Sequence, residues 1–453
     1  MKRHNIDMLN GPLWSKILLF ALPLMASSVM QLLFNAADVI VVGRFAGDAS
    51  LAAVTSTGSL VNLLVNLFMG LSIGTNVIAA HALGRQDDGA LGKTVHTAIL
   101  VSFIGGVILS VLGVFLSPIL LEVMDSPENV IGLSSLYLRI YFLGMPAMLA
   151  YNFGSSILRA QGDTRRPMVY LAIAGVVNVI LNLILVIVFR LDVAGVAIAT
   201  VVSQYISCFL VLRCLTRESG ALHLDLKALR IDPGTLKSIA LIGLPAGLQG
   251  MVFSLSNMVI QSSINSFGDV VMAGSGAAAN IEGFVYVSMN ALYQTCLTFS
   301  GQNYGAGKPQ RVDRVILICV GFVTIAGVVC GGLAYAFAAP LLHIYSPSDE
   351  VVTQGIIRMT YVCLPYFLCG VMDTLVGALR GLGASVVPMC VSVVGVCGVR
   401  LMWIFTVFQA VHTPECLYIS YPISWAATAL IHLCCLMVVR KRSYKKIATT
   451  AAA

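Results

Sequence analysis

Residues 158–168 read LRAQGDTRRPM, and residues 379–389 read LRGLGASVVPM. Leu158, Arg159, Gly162, Pro167 and Met168 recur as Leu379, Arg380, Gly383, Pro388 and Met389, each 221 positions later. The phrase reads as a helix end, a turn and a helix start. A cation suits the last turn of a helix, glycine permits the turn, and proline suits the first turn of the next helix. A chain that writes this connection twice, almost half its length apart, has duplicated what surrounds it.

What surrounds it is almost continuously apolar. Of 453 residues, 58% are hydrophobic and 10% charged, against roughly 25% charged in soluble domains. Runs of about 20 apolar residues read as membrane-spanning helices. Twelve follow one another, at approximately 15–42, 51–80, 95–121, 134–158, 168–189, 193–213, 238–264, 271–300, 313–342, 355–379, 387–410 and 418–439. The expected fold class is therefore an all-α polytopic membrane protein. The first run is too long for the apolar core of a cleavable leader. Ten of the twelve cysteines lie beyond residue 290, scattered through apolar runs, and only Cys416 falls in an outward loop. They read as small buried hydrophobes, not as a disulfide or metal framework.

The 27 Lys and Arg sort by side. Twenty-two lie at the N-terminus, in the loops after spans 2, 4, 6, 8 and 10, and in the tail. The opposite loops hold only Arg44 and Arg190, while Arg139, Arg358 and Arg400 lie within helices. Basic loops are cytoplasmic, so both termini are expected inside the cell membrane. The net charge of +7 then reflects topology. No nucleic-acid partner is expected, because the basic residues are spread over seven segments with no interleaved aromatics.

The repeat reaches beyond the quoted phrase. Leu22-Pro23 recurs as Leu244-Pro245 and Phe45 as Phe267, both 222 positions on; Pro146 and Pro365 break spans 4 and 10. HALG at 81–84 and QNYG at 302–305 close spans 2 and 8. The chain thus divides into an N-lobe (1–213), a polar linker (214–237), a C-lobe (238–440) and a basic tail (441–453). Six is an even number of spans, so both halves start on the same side and are related by an axis along the membrane normal. Such a pair can enclose a central cavity and rock about it, as a secondary transporter must.

These residues resemble a known family. Twelve spans in six-plus-six halves, a proline early in spans 1 and 7, NAADVIVVGRFAG at 35–47, LRAQGDTRRPM, NVILN at 178–182 and GQNYGAGK at 301–308 together are similar to the multidrug and toxic compound extrusion (MATE) family. The resemblance implies alternating access and export of mostly cationic amphipathic compounds against inflow of protons or sodium ions. The major facilitator superfamily also has six-plus-six spans, but the loop HALGRQDDGALGK after span 2 lacks its basic pattern.

Three of the twenty acids fall inside spans: Asp38, Glu282 and Asp373. A charge in hydrocarbon is expensive, so each is a functional candidate, with helix cohesion as the plainer alternative. Counting 1.5 Å per residue, Asp38 lies about 9 Å below the outer end of span 1, Asn182 about 12 Å and Thr200 about 10 Å below the ends of theirs. Asn178 stands one turn below Asn182 on the same helix face. A carboxyl desolvated among amides and a hydroxyl takes up a proton more easily than one in water. The resemblance implies a proton site at Asp38 and Asn178, with Asn182 where some members have a second aspartate. Ile260 holds the repeat position of Asp38, so the lobes are chemically unequal.

In the C-lobe, Arg400 lies about 20 Å from the cytoplasmic end of span 11, and an unpaired Arg at that depth is costly. It is expected to pair with an acid, Glu282 matching its depth better than Asp373. A structural ion pair and a cation site both remain open. Sodium-coupled relatives use acids on spans 7 and 10, and span 7 here has none.

Other patterns are weaker. GLSIG at 70–74 fits a nucleophile motif but sits mid-span, where its glycines read as a close-packing G-x-x-x-G. GQNYGAGKP fails the phosphate-loop pattern. Met30, Phe34, Met145, Met251, Phe253, Met258, Tyr286 and Met289 could line an adaptable cavity. The expectation is a monomeric, ion-coupled exporter of small amphipathic molecules, using no cofactor, metal or catalytic residue, with a flippase for a lipid-linked precursor as the alternative.

Overall fold

The structure, a computed structural model, describes residues 5–123 and 128–452, and every regular element among them is helical. Eleven helices are long and apolar enough to cross a membrane, and the bent pair Val130–Phe142 and Met145–Ala160 supplies a twelfth. Span 1 is Leu13–Phe45. A short helix, Asp48–Ser56, precedes span 2, Gly58–Arg85, where the sequence suggested one run. Span 12 continues as helix from Ser420 to Ala452, through the segment expected to be a tail.

Proline shapes the repeat as read. Pro23 and Pro245 lie inside the first helix of each half. Span 4 bends by 47° just before Pro146. Span 10 breaks into Asp349–Tyr361 and Phe367–Gly381 around a 3-10 turn, Leu364–Tyr366, that holds Pro365. Proline lacks the N–H that would continue the helix.

The duplicated phrase forms the same turn twice. The Gly162 N–H donates to the Arg159 carbonyl (2.9 Å) and Asp163 N–H to Leu158 (3.0 Å); Gly383 and Ala384 repeat this on Arg380 (2.8 Å) and Leu379 (3.0 Å). This is the Schellman closure, which needs a left-handed residue at the glycine, and φ is 97° at Gly162 and 86° at Gly383. A Cβ on Gly162 would also lie 2.4 Å from the Ile6 carbonyl.

Packing divides the chain into two compact units. One contains Ala26–Gly247 with the chain's start through Ile6; the other contains Asp7–Met25 and Leu248–Ala453. In the first unit the linker is pinned down. Leu222 and Leu224 are buried in an apolar cluster with Val95, Ile99 and Leu215. The Asp225 N–H reaches His96 Nε2 (3.2 Å) and the Asp232 N–H reaches Thr97 Oγ1 (3.0 Å). In the second unit, the end of GQNYGAGK and the next helix grip the chain's start. Asn303 and Arg311 donate to the Met8 carbonyl (3.2 and 3.1 Å), and Lys308 to the Leu9 carbonyl (2.9 Å).

GLSIG packs as its glycines suggested. A Cβ on Gly70 would stand 2.2 Å from the Gly247 nitrogen, and one on Gly243 2.6 Å from the Leu71 Cα. Span 2 and the first half of span 7, Pro233–Asn265, therefore meet backbone to backbone, held by van der Waals contact that larger residues forbid. Gly70→Ala is expected to lower thermal stability in detergent, whereas Gly321→Ala, where a Cβ meets nothing within 4 Å, leaves it unchanged or raises it. Equal melting temperatures for the two variants would contradict this close crossing.

Candidate functional site

In the first unit, span 5 runs as α-helix from Arg165 to Asn182 and then widens into a π-helical stretch, Leu183–Val188. π-Turns are rare and gather at functional sites; nothing in the residue pattern announced this one. It begins directly after Asn182. The Asn182 amide nitrogen donates to an Asp38 carboxylate oxygen and also lies 3.3 Å from Asn178 Oδ1. The Asn178 amide reaches the Thr200 hydroxyl (3.4 Å) on span 6, the helix Asp192–Arg217. All four residues expected at this site thus meet. Asn178 and Asn182 are buried, at 4% and 0% exposure. Tyr137 and Tyr141, stacked 5.9 Å apart, stand near the carboxyl; the sequence reading omitted them, although their four-residue spacing on a polar-aromatic face of span 4 was visible. The Asp38 carboxyl is thus met by amide and hydroxyl groups. Asn182 Oδ1 is buried with no hydrogen-bond partner among the described atoms.

The second unit handles its acids differently. Arg358, not Arg400, neutralises Glu282. Its Nε and a terminal nitrogen donate to the two carboxylate oxygens at 2.9 and 2.8 Å, and the other terminal nitrogen donates to Ser275 Oγ at 2.8 Å. The pairing of Arg400 with Glu282 or Asp373 is corrected accordingly. Depth alone could not decide the pairing: Glu282 lies 13 residues into its helix and Arg358 nine into its own, about 20 and 14 Å at 1.5 Å per residue, a difference that the long arginine side chain spans. A planar guanidinium suits this two-point grip.

Arg400 follows a second π-helical stretch, Val393–Gly398, in span 11. Its Nε donates to Ser424 Oγ (2.9 Å), and its guanidinium lies 4.1 Å from the Tyr421 ring centre and 5.4 Å from that of Trp425. Aromatic faces attract a desolvated cation by about 2 kcal/mol or more, which is how this arginine is accommodated without a carboxylate. Consequently Glu282→Gln is expected not to rescue any stability lost in Arg400→Ala; rescue would restore the discarded pair. Asp373 accepts from the Tyr286 hydroxyl (3.2 Å), giving that residue a role other than cavity lining.

Of the remaining cavity candidates, Met145 and Met289 are fully enclosed at 0% exposure. Met145 packs among Phe142 and Leu149, and Met289 fits against Gly370. Both belong to helix packing, and the expectation that they line a cavity is corrected. Met30, Phe34, Met251 and Phe253 are half-buried, Met258 is exposed, and the Phe34 ring lies over Gly175.

A helical membrane protein of two homologous halves, with acids inside the spans held differently in each, is the architecture of a secondary transporter. The MatE family model matches residues 23–184 and 245–406, once per half, and the chain belongs to that family of efflux transporters. It is 28% identical over 427 residues to a probable multidrug resistance protein, YoeA, of Bacillus subtilis, covering 92% of each chain. It is 26% identical to an FAD transporter of Shewanella oneidensis, covering 77% of this chain and 78% of that one. Among solved structures it resembles a MATE protein in the bent conformation (TM-score 0.89, 19% identity, 100% of both chains). It also resembles one in the straight conformation (TM-score 0.89, 20% identity, 98% of this chain and 100% of that one).

Proposed function

We propose that the chain is a cation-coupled antiporter, driven by protons and not by sodium ions, that exports amphipathic, mostly cationic compounds by alternating access. In this reading it sits in the cell membrane with both termini cytoplasmic, as the one-sided distribution of basic residues favours. The observation that carries the coupling is the way Asp38 is held. A coupling site must be stable both loaded and empty. Ionised, Asp38 accepts from the Asn182 amide nitrogen. Protonated, it keeps a carbonyl oxygen that accepts from the same amide nitrogen, and it no longer carries a charge within the span. Sodium is disfavoured because the Asn182 nitrogen, a donor, stands between Asp38 Oδ1 and Asn178 Oδ1, where a cation would need to sit. Glu282 is less suited to exchange a proton, since Arg358 compensates its charge at hydrogen-bond distance.

Substrate class is tested by efflux of a lipophilic cationic dye from proteoliposomes, with unlabelled competitors inside. Organic cations are expected to compete. FAD and a short-chain phospholipid are expected not to. Export of FAD or lipid without export of the dye would overturn the substrate class.

A further inference from the structure

We infer that an anionic phospholipid binds at a fixed site on the second unit, its acyl chain in a groove between spans 9 and 12 and its phosphate at Arg440. Span 9 is Pro309–Ala336. The helix Phe367–Gly381 packs against both outer helices, which part above it and leave a groove of 510 Å³. That lies within the roughly 300–1,000 Å³ of small-molecule sites. Val371 and Leu375 form its floor, and Ala426 and Ala429 on span 12 give it width. The groove is deep for a lipid-facing surface: Leu375 is 4% exposed, while Leu317 and Leu430 on its rims are 74% and 65% exposed.

One end of the groove is polar, and its charge selects the occupant. Asp313 and Arg440 close that end, joined through Arg440 Nε and Asp313 Oδ1 at 3.2 Å. The Tyr444 hydroxyl donates to the same oxygen at 2.7 Å, and the Tyr444 ring lies 5.6 Å from the guanidinium. These contacts fix the arginine by its Nε edge, and its side chain remains 49% exposed. Lys441, Arg442 and Lys445 follow on the same helix end, and Arg314 stands beside Asp313; all four are exposed. Arg440 at the mouth of an apolar groove, with four further exposed cations near it or its partner acid in sequence, matches a headgroup that carries negative charge on a hydrocarbon chain. Basic pockets between membrane helices bind such headgroups, and the guanidinium fork suits phosphate oxygens. A zwitterionic lipid has no net charge for this cluster to attract.

The test is native mass spectrometry of the detergent-purified full chain, offered phosphatidylglycerol or phosphatidylcholine with the same acyl chains. The wild type is expected to retain phosphatidylglycerol about tenfold better, as several basic residues near one headgroup imply. The double variant Arg314→Gln/Arg440→Gln should lose that preference. Ala426→Phe, which fills the groove and leaves the charges in place, should lower retention of phosphatidylglycerol. Glycerol phosphate, a headgroup without chains, should not displace it. Thermal melting confirms that each variant is folded, and a variant that fails is replaced by Arg440→Gln alone or by Ala426→Leu. Equal retention of the two lipids by the wild type, or full retention by Ala426→Phe, would overturn the site. Displacement by glycerol phosphate would reduce it to a surface anion contact and overturn the acyl groove. The assay requires no transport, so its outcome is independent of the coupling mechanism.

Discussion

Asp38→Asn is expected to abolish ion-driven export while leaving a folded, inserted protein. The substitution is nearly isosteric, and an asparagine oxygen still accepts from the Asn182 amide that now contacts the carboxylate. Asn178 and Thr200 keep their own contact. What is lost is the one property a neutral amide cannot supply, uptake and release of a proton in the span. Substrate binding should persist, so the variant separates binding from coupling: dye affinity near the wild type, with efflux at the rate of empty liposomes. Wild-type efflux by Asp38→Asn would remove Asp38 from the coupling machinery. Asn182→Ala should impair efflux less severely, because the carboxyl survives while its principal donor is gone.

The largest effect on stability is expected at Arg358. Arg358 is 7% exposed and Glu282 5%, and three of the guanidinium nitrogens are engaged. Arg358→Ala leaves a buried carboxylate uncompensated, a loss of about 3–5 kcal/mol for a broken buried pair. Arg358→Ala/Glu282→Gln removes the stranded charge and should recover part of the thermal stability, which a fluorescence melt in detergent measures. Because a well-packed neutral pair can match a buried ion pair, near-complete recovery is compatible with the account. No recovery at all would contradict it.

Most of the architecture was legible because lipid leaves few choices. Backbone groups in hydrocarbon must bond internally, so a run of apolar residues long enough to span fixes a helix, and Pro146 and Pro365 marked where helices bend or break. The Schellman turns at Gly162 and Gly383 were local enough to read from eleven residues. At the site, Asp38 and its partners were found because depth along a helix follows from residue number, and an acid in a span has few polar neighbours to choose from. Arg400 was misassigned because depth fixes only one coordinate. Which face of span 11 turns towards which neighbour depends on rotation about the helix, and the π-helical stretch Val393–Gly398 changes that rotation just before Arg400. The aromatic alternative, Tyr421 and Trp425, lay one span away and was not weighed, since a search for carboxylates overlooks rings that serve the same charge.

The central claim is that a proton on Asp38 drives export, and one measurement addresses it most directly. Efflux of a cationic dye is followed in proteoliposomes at fixed membrane potential, with sodium replaced throughout by choline and a pH gradient imposed alone. The account predicts efflux that follows the pH gradient without sodium in the wild type and vanishes in Asp38→Asn. Efflux that stops without sodium, ignores the pH gradient and resumes with an inward sodium gradient would contradict it.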